Sequence, residues 1–587
     1  MRMRLALFLL LASLLALDMS QYALGYSAYS PKWAIRLYFS SIPGEYGESV
    51  DADASYVYAL YTFTYSAGSL NTTNTSLAEV YPGNGSVANA ISLYVTGANT
   101  TGTDVAAYGS PYIYIVGYFT VLSDNTRGGF IAQVDKTSLT IVNSYVDYDQ
   151  NVGQIHYSSV CLDSTGNVYV TGYVLNTSDE YMMLVARYSS DLSQRQIQYY
   201  VSAEYEPVGI SCTMGPDGYL YAVSQLLHYN STLGHYYPVY LVVSKIDPTT
   251  LDIVDTYSIR LYNSQGYTNR LALLDAAITS DGSYLYVAFG YTDEKPSPSS
   301  PTTGAAVVKL TTSLSQVWRL NISTDYYEEF DAARAGAGGP VIVAGQTQYD
   351  YGTGLGTNYY KSFLVIVNTD GSISKAILFG ASDEGSGVDG VAIDANGYPY
   401  SVSSHFSDTI SFYDVTNEVQ GTASLAAISP SPRLSGEAVA AKVPTNLSTA
   451  IYPLKASTLL TNSVSEGKSA TMFTLKYKRL SSHHGHTNTS TTTTHVYIRT
   501  STTEPPGKKP PRKGKSIGTD NRRPVPQPLN PGTPSGNSSV LLVAYQEELN
   551  PPPQPPQPIP EPITLILLAT ITASIGYTLI VARKRDN

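Results

Sequence analysis

The sequence predicts an all-β fold, a seven-bladed β-propeller, and three observations carry that expectation. A short apolar strand recurs seven times. Each period holds four strands in the same order. A further strand precedes the first complete repeat and is available to close a ring. The recurring strand nearly always has tyrosine second, and its copies centre on Tyr58, Tyr114, Tyr169, Tyr221, Tyr286, Ile342 and Tyr400, at intervals of 56, 55, 52, 65, 56 and 58 residues. A steady period of this size marks repeat architecture.

One repeat, residues 149–200, shows the order. Ser158 to Asp163 reads as a first strand and Ser164-Thr165-Gly166-Asn167 as a tight turn. Val168 to Tyr173, β-branched and aromatic, is the second strand. Met183 to Tyr188 is the third, and Gln196 to Val201 the fourth. Equivalent turns recur at Pro216-Asp217-Gly218, Ser280-Asp281-Gly282 and Asp394-Ala395-Asn396-Gly397. Four strands per period describe a propeller blade. The run Asp163-Ser164-Thr165-Gly166-Asn167-Val168-Tyr169-Val170-Thr171-Gly172 resembles the repeat of the SBBP/NHL class of propellers. That resemblance spans roughly residues 33–480 and implies a fold, not an activity.

Closed sheets leave no edge for aggregation. Lys32 to Leu37 looks like a fourth strand, comparable to Val317-Trp318-Arg319-Leu320, and Met472 to Tyr477 like a third. Their pairing is expected to complete the last blade. Region 407–470 is too long for one loop and holds two more strand-like segments, Ile410 to Val415 and Ser424 to Ile428. It reads as an insertion or as an irregular eighth blade. The ectodomain is thus expected over 26–480.

The ends suggest a membrane address. A basic start and the apolar run Leu5 to Leu17 read as a signal peptide over 1–25, cleaved near Gly25. Ile563 to Ala582 lacks charge and is long enough to span a bilayer as one helix. Arg583, Lys584 and Arg585 would hold the tail 583–587 inside. Residues 481–562, rich in Ser, Thr, His and Pro, read as a disordered stalk reaching up to roughly 200 Å. Pro560-Glu561-Pro562, the apolar run and the basic end resemble the PEP-CTERM sorting signal, which implies removal of the helix. The histidines at 483, 484, 486 and 495 and the basic run from Lys508 to Arg523 fall in this stalk, where a solvated linker is the expectation.

Only 14% of residues are charged, Tyr numbers 51, and the net charge of −11 argues against nucleic acid as a partner. Cys161 and Cys212, offset by one residue in equivalent strands, are expected to face opposite sides of the sheet as buried thiols, with a disulfide as the alternative. Glycosylation acceptor triplets occur at Asn71, Asn74, Asn84, Asn99, Asn176, Asn230, Asn321, Asn446, Asn488 and Asn537. Sequons, tyrosine richness and a single terminal span resemble archaeal cell-envelope proteins.

No nucleophile elbow, zinc-protease, P-loop or dinucleotide motif is present. One pattern stands out. The connections leading into blades pair acids with tyrosines: Glu45 and Glu48; Glu204, Tyr205 and Glu206; Tyr327, Glu328 and Glu329; Asp383 and Glu384, with Arg270 and His156 in corresponding places. Such connections gather on one face of a propeller. Carboxylates converging there suit calcium, and tyrosines suit sugars or another chain. The expectation is a non-catalytic, membrane-anchored surface propeller for adhesion, envelope structure or ligand recognition, with envelope proteins or glycans as partners. The alternative is an ectoenzyme acting on polysaccharide through paired carboxylates of that face.

Overall fold

In a computed structural model, residues 28–37, 45–67, 70–107, 109–148, 153–202, 204–230, 235–261, 276–292, 303–322, 324, 326–382, 385–405, 410–416, 418–419, 421–424, 435–437, 454–458, 472–473, 495–499 and 539–548 are described. The chain divides into two units. One is Pro31–Gln546; the other combines Met1–Ser30 with Glu547–Asn587, of which only strand ends are described.

Seven sheets each hold four blade strands. Blade 1 has Glu45–Ala52, Val57–Ala67, Leu70–Val80 and Val87–Val95. Blade 2 has Ala98–Ala106, Tyr112–Val121, Arg127–Asp135 and Ile141–Asp147. Blade 3 has Gln154–Leu162, Val168–Leu175, Tyr181–Tyr188 and Arg195–Ser202. Blade 4 has Glu206–Met214, Leu220–Asn230, His235–Ile246 and Ile253–Arg260. Blade 5 has Ala276–Ser280, Leu285–Thr292, Thr303–Leu310 and Gln316–Ile322. Blade 6 has Glu328–Ala335, Val341–Thr347, Lys361–Val367 and Ile373–Gly380. Blade 7 is built from three stretches of chain: Ser386–Ile393 with Pro399–His405, then Ser539–Glu548, then Ala28–Leu37. First strands of successive blades touch in order, and that of blade 7 touches that of blade 1, so the β-propeller is closed with seven blades.

Ring closure corrects three expectations. Ala28–Leu37 is the closing fourth strand as expected, but its partner is Ser539–Glu548, not Met472–Tyr477. Val540, Leu541, Leu542, Val543, Ala544 and Tyr545 are all buried, as a strand covered on both faces requires. The other candidate would have put Thr474 and Lys476 inside. Met472–Phe473 instead pairs with Leu454–Thr458 at the outer edge of blade 1. Within 407–470 there is no eighth blade among the described residues. Ser411–Asp414 adds a fifth strand to blade 6 and Gly421–Ser424 one to blade 5. Within the expected stalk, His495–Arg499 runs parallel to the outer strand of blade 3, and Ser539–Glu548 belongs to the ring. No helix among the described residues is long and apolar enough to cross a membrane; the run 563–582, the signal segment 1–25 and the tail 583–587 lie outside them.

The core sits between blades. Each apolar cluster mixes two neighbours: Leu60 and Leu93 of blade 1 with Ile115 and Phe130 of blade 2, or Val50 of blade 1 with Val402 and Leu542 of blade 7. Second strands are buried on both faces, which is why Val168–Leu175 reads as a continuous apolar run. Six of the seven first strands carry a β-bulge near the middle. Opposite the bulge of blade 3 stands Gly172, where a Cβ would lie 2.0 Å from the His156 carbonyl oxygen. Glycine is needed there because two backbones nearly touch.

The turns between third and fourth strands show a compensation. In blades 2 to 5 each holds a leucine at positive φ: Leu139, Leu192, Leu251 and Leu314 at 47°, 57°, 62° and 56°. Leucine rarely adopts this conformation; here its buried side chain fills the seam toward the preceding blade. In blades 1 and 6 the position is Gly85 or Gly371, and the chain's two tryptophans fill the space instead. Trp33 and Trp318 make the same contact, each donating its indole N–H to a turn carbonyl of the next blade, Pro82 or Thr369, at 3.0 Å. The sequence likeness between their two strands therefore has a structural cause.

Cys161 and Cys212 form a disulfide joining the first strands of blades 3 and 4, with Cα atoms 6.0 Å apart. The offset itself was read correctly: Cys161 stands opposite Tyr169, whereas Cys212 stands opposite Ala222, one past the Thr213–Tyr221 pair. Its meaning reverses in a propeller. Side chains on opposite faces of adjacent blades point into the one seam between them. Closing a span of 51 residues is worth about 4 kcal/mol in the chain-entropy treatment.

Two outcomes follow. Leu542→Ala is expected to lower unfolding free energy by about 2–5 kcal/mol in denaturant melts, where a disordered stalk would register no change. Intact-mass measurement after thiol alkylation is expected to find no reactive cysteine, and Cys161→Ser to lose about 4 kcal/mol.

Candidate functional site on the loop face

The ring has two unlike faces. On the turn face lie the short turns joining first to second and third to fourth strands. On the loop face lie the second-to-third loops and the connections between blades.

The turn face is committed to holding the ring. In five blades an aspartate before the second strand accepts the recurring tyrosine's hydroxyl, at 2.8–3.1 Å: Asp53 from Tyr58, Asp163 from Tyr169, Asp217 from Tyr221, Asp281 from Tyr286 and Asp394 from Tyr400. Its other oxygen accepts turn amides, as Asp163 does from Thr165 and Asn167. Strand side chains also reach the next blade's turns: Tyr114 donates to the Ser190 carbonyl at 2.7 Å, Lys245 to that of Thr312 at 3.1 Å and Lys309 to that of Thr369 at 2.8 Å. Burial opposes ionisation of Asp163, but hydrogen bonds from Asn167 and Thr165 outweigh it and hold the carboxyl below its usual range. Burial and the Asp163 charge push Tyr169 up to about 12.

The loop face carries the predicted acids and tyrosines, and the structure distributes them. Glu45 begins the first strand of blade 1, and its side chain is outside the described residues; Glu48, half-buried, is the extra residue of that strand's bulge. Arg270, Asp383 and Glu384 lie outside the described residues. Glu206 accepts from the Tyr181 amide at 3.1 Å and the Tyr236 hydroxyl at 3.0 Å, joining blade 4 to blade 3. Glu328 is fully buried and accepts from the Thr324 amide and hydroxyl. Glu329 accepts from Tyr327 and from Gln346. These three carboxylates stabilise their own loops. Among the described residues no group of three or more His, Cys, Asp or Glu could hold a metal ion, so convergence suited to calcium is not seen there.

Glu204 and Tyr205 differ. Glu204 is exposed and Tyr205 half-buried, edge-on to Tyr240 at 5.6 Å and to the exposed His228 at 6.2 Å. Beside them runs an aromatic ladder that sequence reasoning missed. The Arg127 guanidinium sits 4.5 Å over Tyr118; Tyr118 stacks on His156 at 4.3 Å and His156 on Tyr173 at 4.6 Å. Tyr173 meets Tyr181, and Tyr181 meets Tyr236, both edge-on at 5.5 Å. The ladder crosses blades 2 to 4 and ends at Glu206. The signal was Tyr-x-x-Gly-Tyr, at Tyr114 to Tyr118 and Tyr169 to Tyr173, whose second tyrosine reaches the loop face.

The glycosylation triplets also sort by environment. Asn84 is exposed in a turn of blade 1. Asn176 is half-buried in a loop, its carbonyl oxygen accepting the Ser178 and Glu180 amides. Asn74 is buried. Asn99 and Asn321 accept hydrogen bonds from the Thr73 amide at 2.9 Å and from Arg319 at 2.7 Å. The side chains of Asn71 and Asn230, and all of Asn446, Asn488 and Asn537, are outside the described residues.

No protein-family model and no curated protein matches the chain. Solved propellers are similar at low identity. The propeller domain of the Trilobed protease from Pyrococcus furiosus is 10% identical, covering 62% of this chain and 91% of its own, with a TM-score of 0.34. The phage phi92 endosialidase is 9% identical over 66% and 65%, TM-score 0.35. Drosophila Semaphorin 1b is 8% identical over 66% and 80%, TM-score 0.31. Likenesses this distant say nothing of what this chain does.

Glu79 offers a pH test of the committed face. It is buried with one oxygen lacking a hydrogen-bond partner; burial, and then the Asp53 charge, push it up to about 7. A raised carboxyl pKa stabilises the fold below the unfolded value and loses that contribution as pH rises through about 7. Glu79→Gln is therefore expected to gain stability over wild type at pH 8 and little at pH 5, read from chemical denaturation at both.

Proposed function

We propose that this chain is a non-catalytic propeller, anchored in a membrane and displayed outside the cell, that recognises an envelope glycan or protein through its loop face. The supporting observation is the patch of Glu204, Tyr205, His228 and Tyr240 on blade 4, where amphipathic rings and a carboxylate reach solvent near the aromatic ladder. Tyrosine faces stack on sugars and contact protein surfaces at small entropic cost. Removal of 1–25 as a leader would leave the closing strand, from Ala28, almost at the new amino terminus. Residues 563–582 serve as the span and 583–587 remain inside. Asn84 is the triplet best placed to bear a glycan. Of the acids on which the alternative of an ectoenzyme rests, Glu206, Glu328 and Glu329 are engaged by neighbouring groups.

Full-length protein in detergent, tested against envelope glycans and envelope extracts, checks this reading. A variant carrying Glu204→Gln, Tyr205→Ala, His228→Ala and Tyr240→Ala is expected to lose roughly tenfold or more in affinity, at about 0.5–1.5 kcal/mol per aromatic contact. Undiminished binding would contradict it.

A further inference from the structure

The closing strand of blade 7 has a direction, and that direction bears on where a tether would begin. The closing strand pairs Ser539 with His405 and Ala544 with Tyr400. Tyr400 sits just beyond the turn opened by Asp394, so the strand enters from the loop face and ends on the turn face. In the other six blades that end leads through a tight turn, such as Asp135 to Thr140 or Ser189 to Gln194, into the fourth strand. Blade 7 has no such turn. Its fourth strand is Ala28–Leu37, from the start of the chain, and the third strand ends at Glu548.

Only residues 549–562 separate this exit from the apolar run, and 8 of these 14 are proline. At about 3.1 Å per residue in an extended proline helix they reach about 43 Å. The expected long stalk shrinks accordingly. Its histidines and its basic run, Lys508 to Arg523, fall in the insertion 406–538, rooted on the loop face between the second and third strands of blade 7.

We infer that the anchored protein turns its turn face toward the lipid and holds its loop face, with the Glu204–Tyr205–His228–Tyr240 patch, away from the membrane. The inference rests on the anchoring reading above. To invert the ring, the linker would first have to run back along a blade about 26–30 Å deep, at about 3.3 Å per residue over 8 or 9 residues. More than half its reach would be consumed. The Glu204–Tyr205–His228–Tyr240 patch lies on the face opposite this exit.

Energy transfer to a lipid-borne acceptor tests this. Cys161 and Cys212 are paired, so a single introduced cysteine takes the donor dye. Thr137→Cys lies exposed on the turn face and Ser123→Cys on the loop face, at opposite ends of Arg127–Asp135. Each full-length variant is inserted into phosphatidylcholine vesicles carrying the acceptor. With the labels about 30 Å apart along the strand, quenching at position 137 is expected to be roughly twofold or more stronger than at 123. Equal or reversed quenching in vesicle-bound protein overturns the orientation while leaving anchoring intact. Protein that fails to join vesicles, with neither donor quenched, overturns anchoring and this inference with it.

Discussion

Burial on both faces is the constraint on which the structure depends. Every second strand needs a neighbouring blade on each side, because its side chains alternate between two apolar seams. A row of such blades would end in two exposed apolar faces, so the sheets form a ring. The ring then needs a seventh blade complete in four strands. That requirement recruits Ser539–Glu548 from far along the chain and Ala28–Leu37 from its start.

The seams are filled by a few interchangeable devices. Aspartate-tyrosine clasps fix the turns in five blades. Leucines held at positive φ fill four seams, and tryptophan over glycine does so in two others. One disulfide adds a covalent link between blades 3 and 4. Blade 6 has Ile342 in place of the tyrosine, and the fifth strand Ser411–Asp414 lies along its edge, with Phe412 stacked on Phe379 at 5.0 Å.

Much of this was legible in the sequence because repetition averages over local irregularity. The period, the strand order, the closing role of Trp33's strand and the structural role of the recurring tyrosines all came from patterns seen several times. What occurred once was harder to read. Val540 to Tyr545 reads from sequence only as a brief apolar island within the expected stalk, between Ser/Pro-rich and Pro-rich stretches, and nothing local says that a blade begun before residue 405 awaits it. The cysteine offset was correct, yet its consequence depends on whether two strands share a sheet or face each other across a seam. The blade-entry acids stood out by type alone; the hydrogen bonds that turn Glu206, Glu328 and Glu329 into loop supports depend on how each loop folds back on itself or on its neighbour.

Amide hydrogen exchange across residues 540–545 of the full-length protein tests the closed ring most directly. Closure by this strand predicts protection matching that of Val402 and its neighbours in the adjacent strand, lost only on global unfolding. Exchange at the rate of an unstructured chain, with the rest of the ring protected, would contradict it.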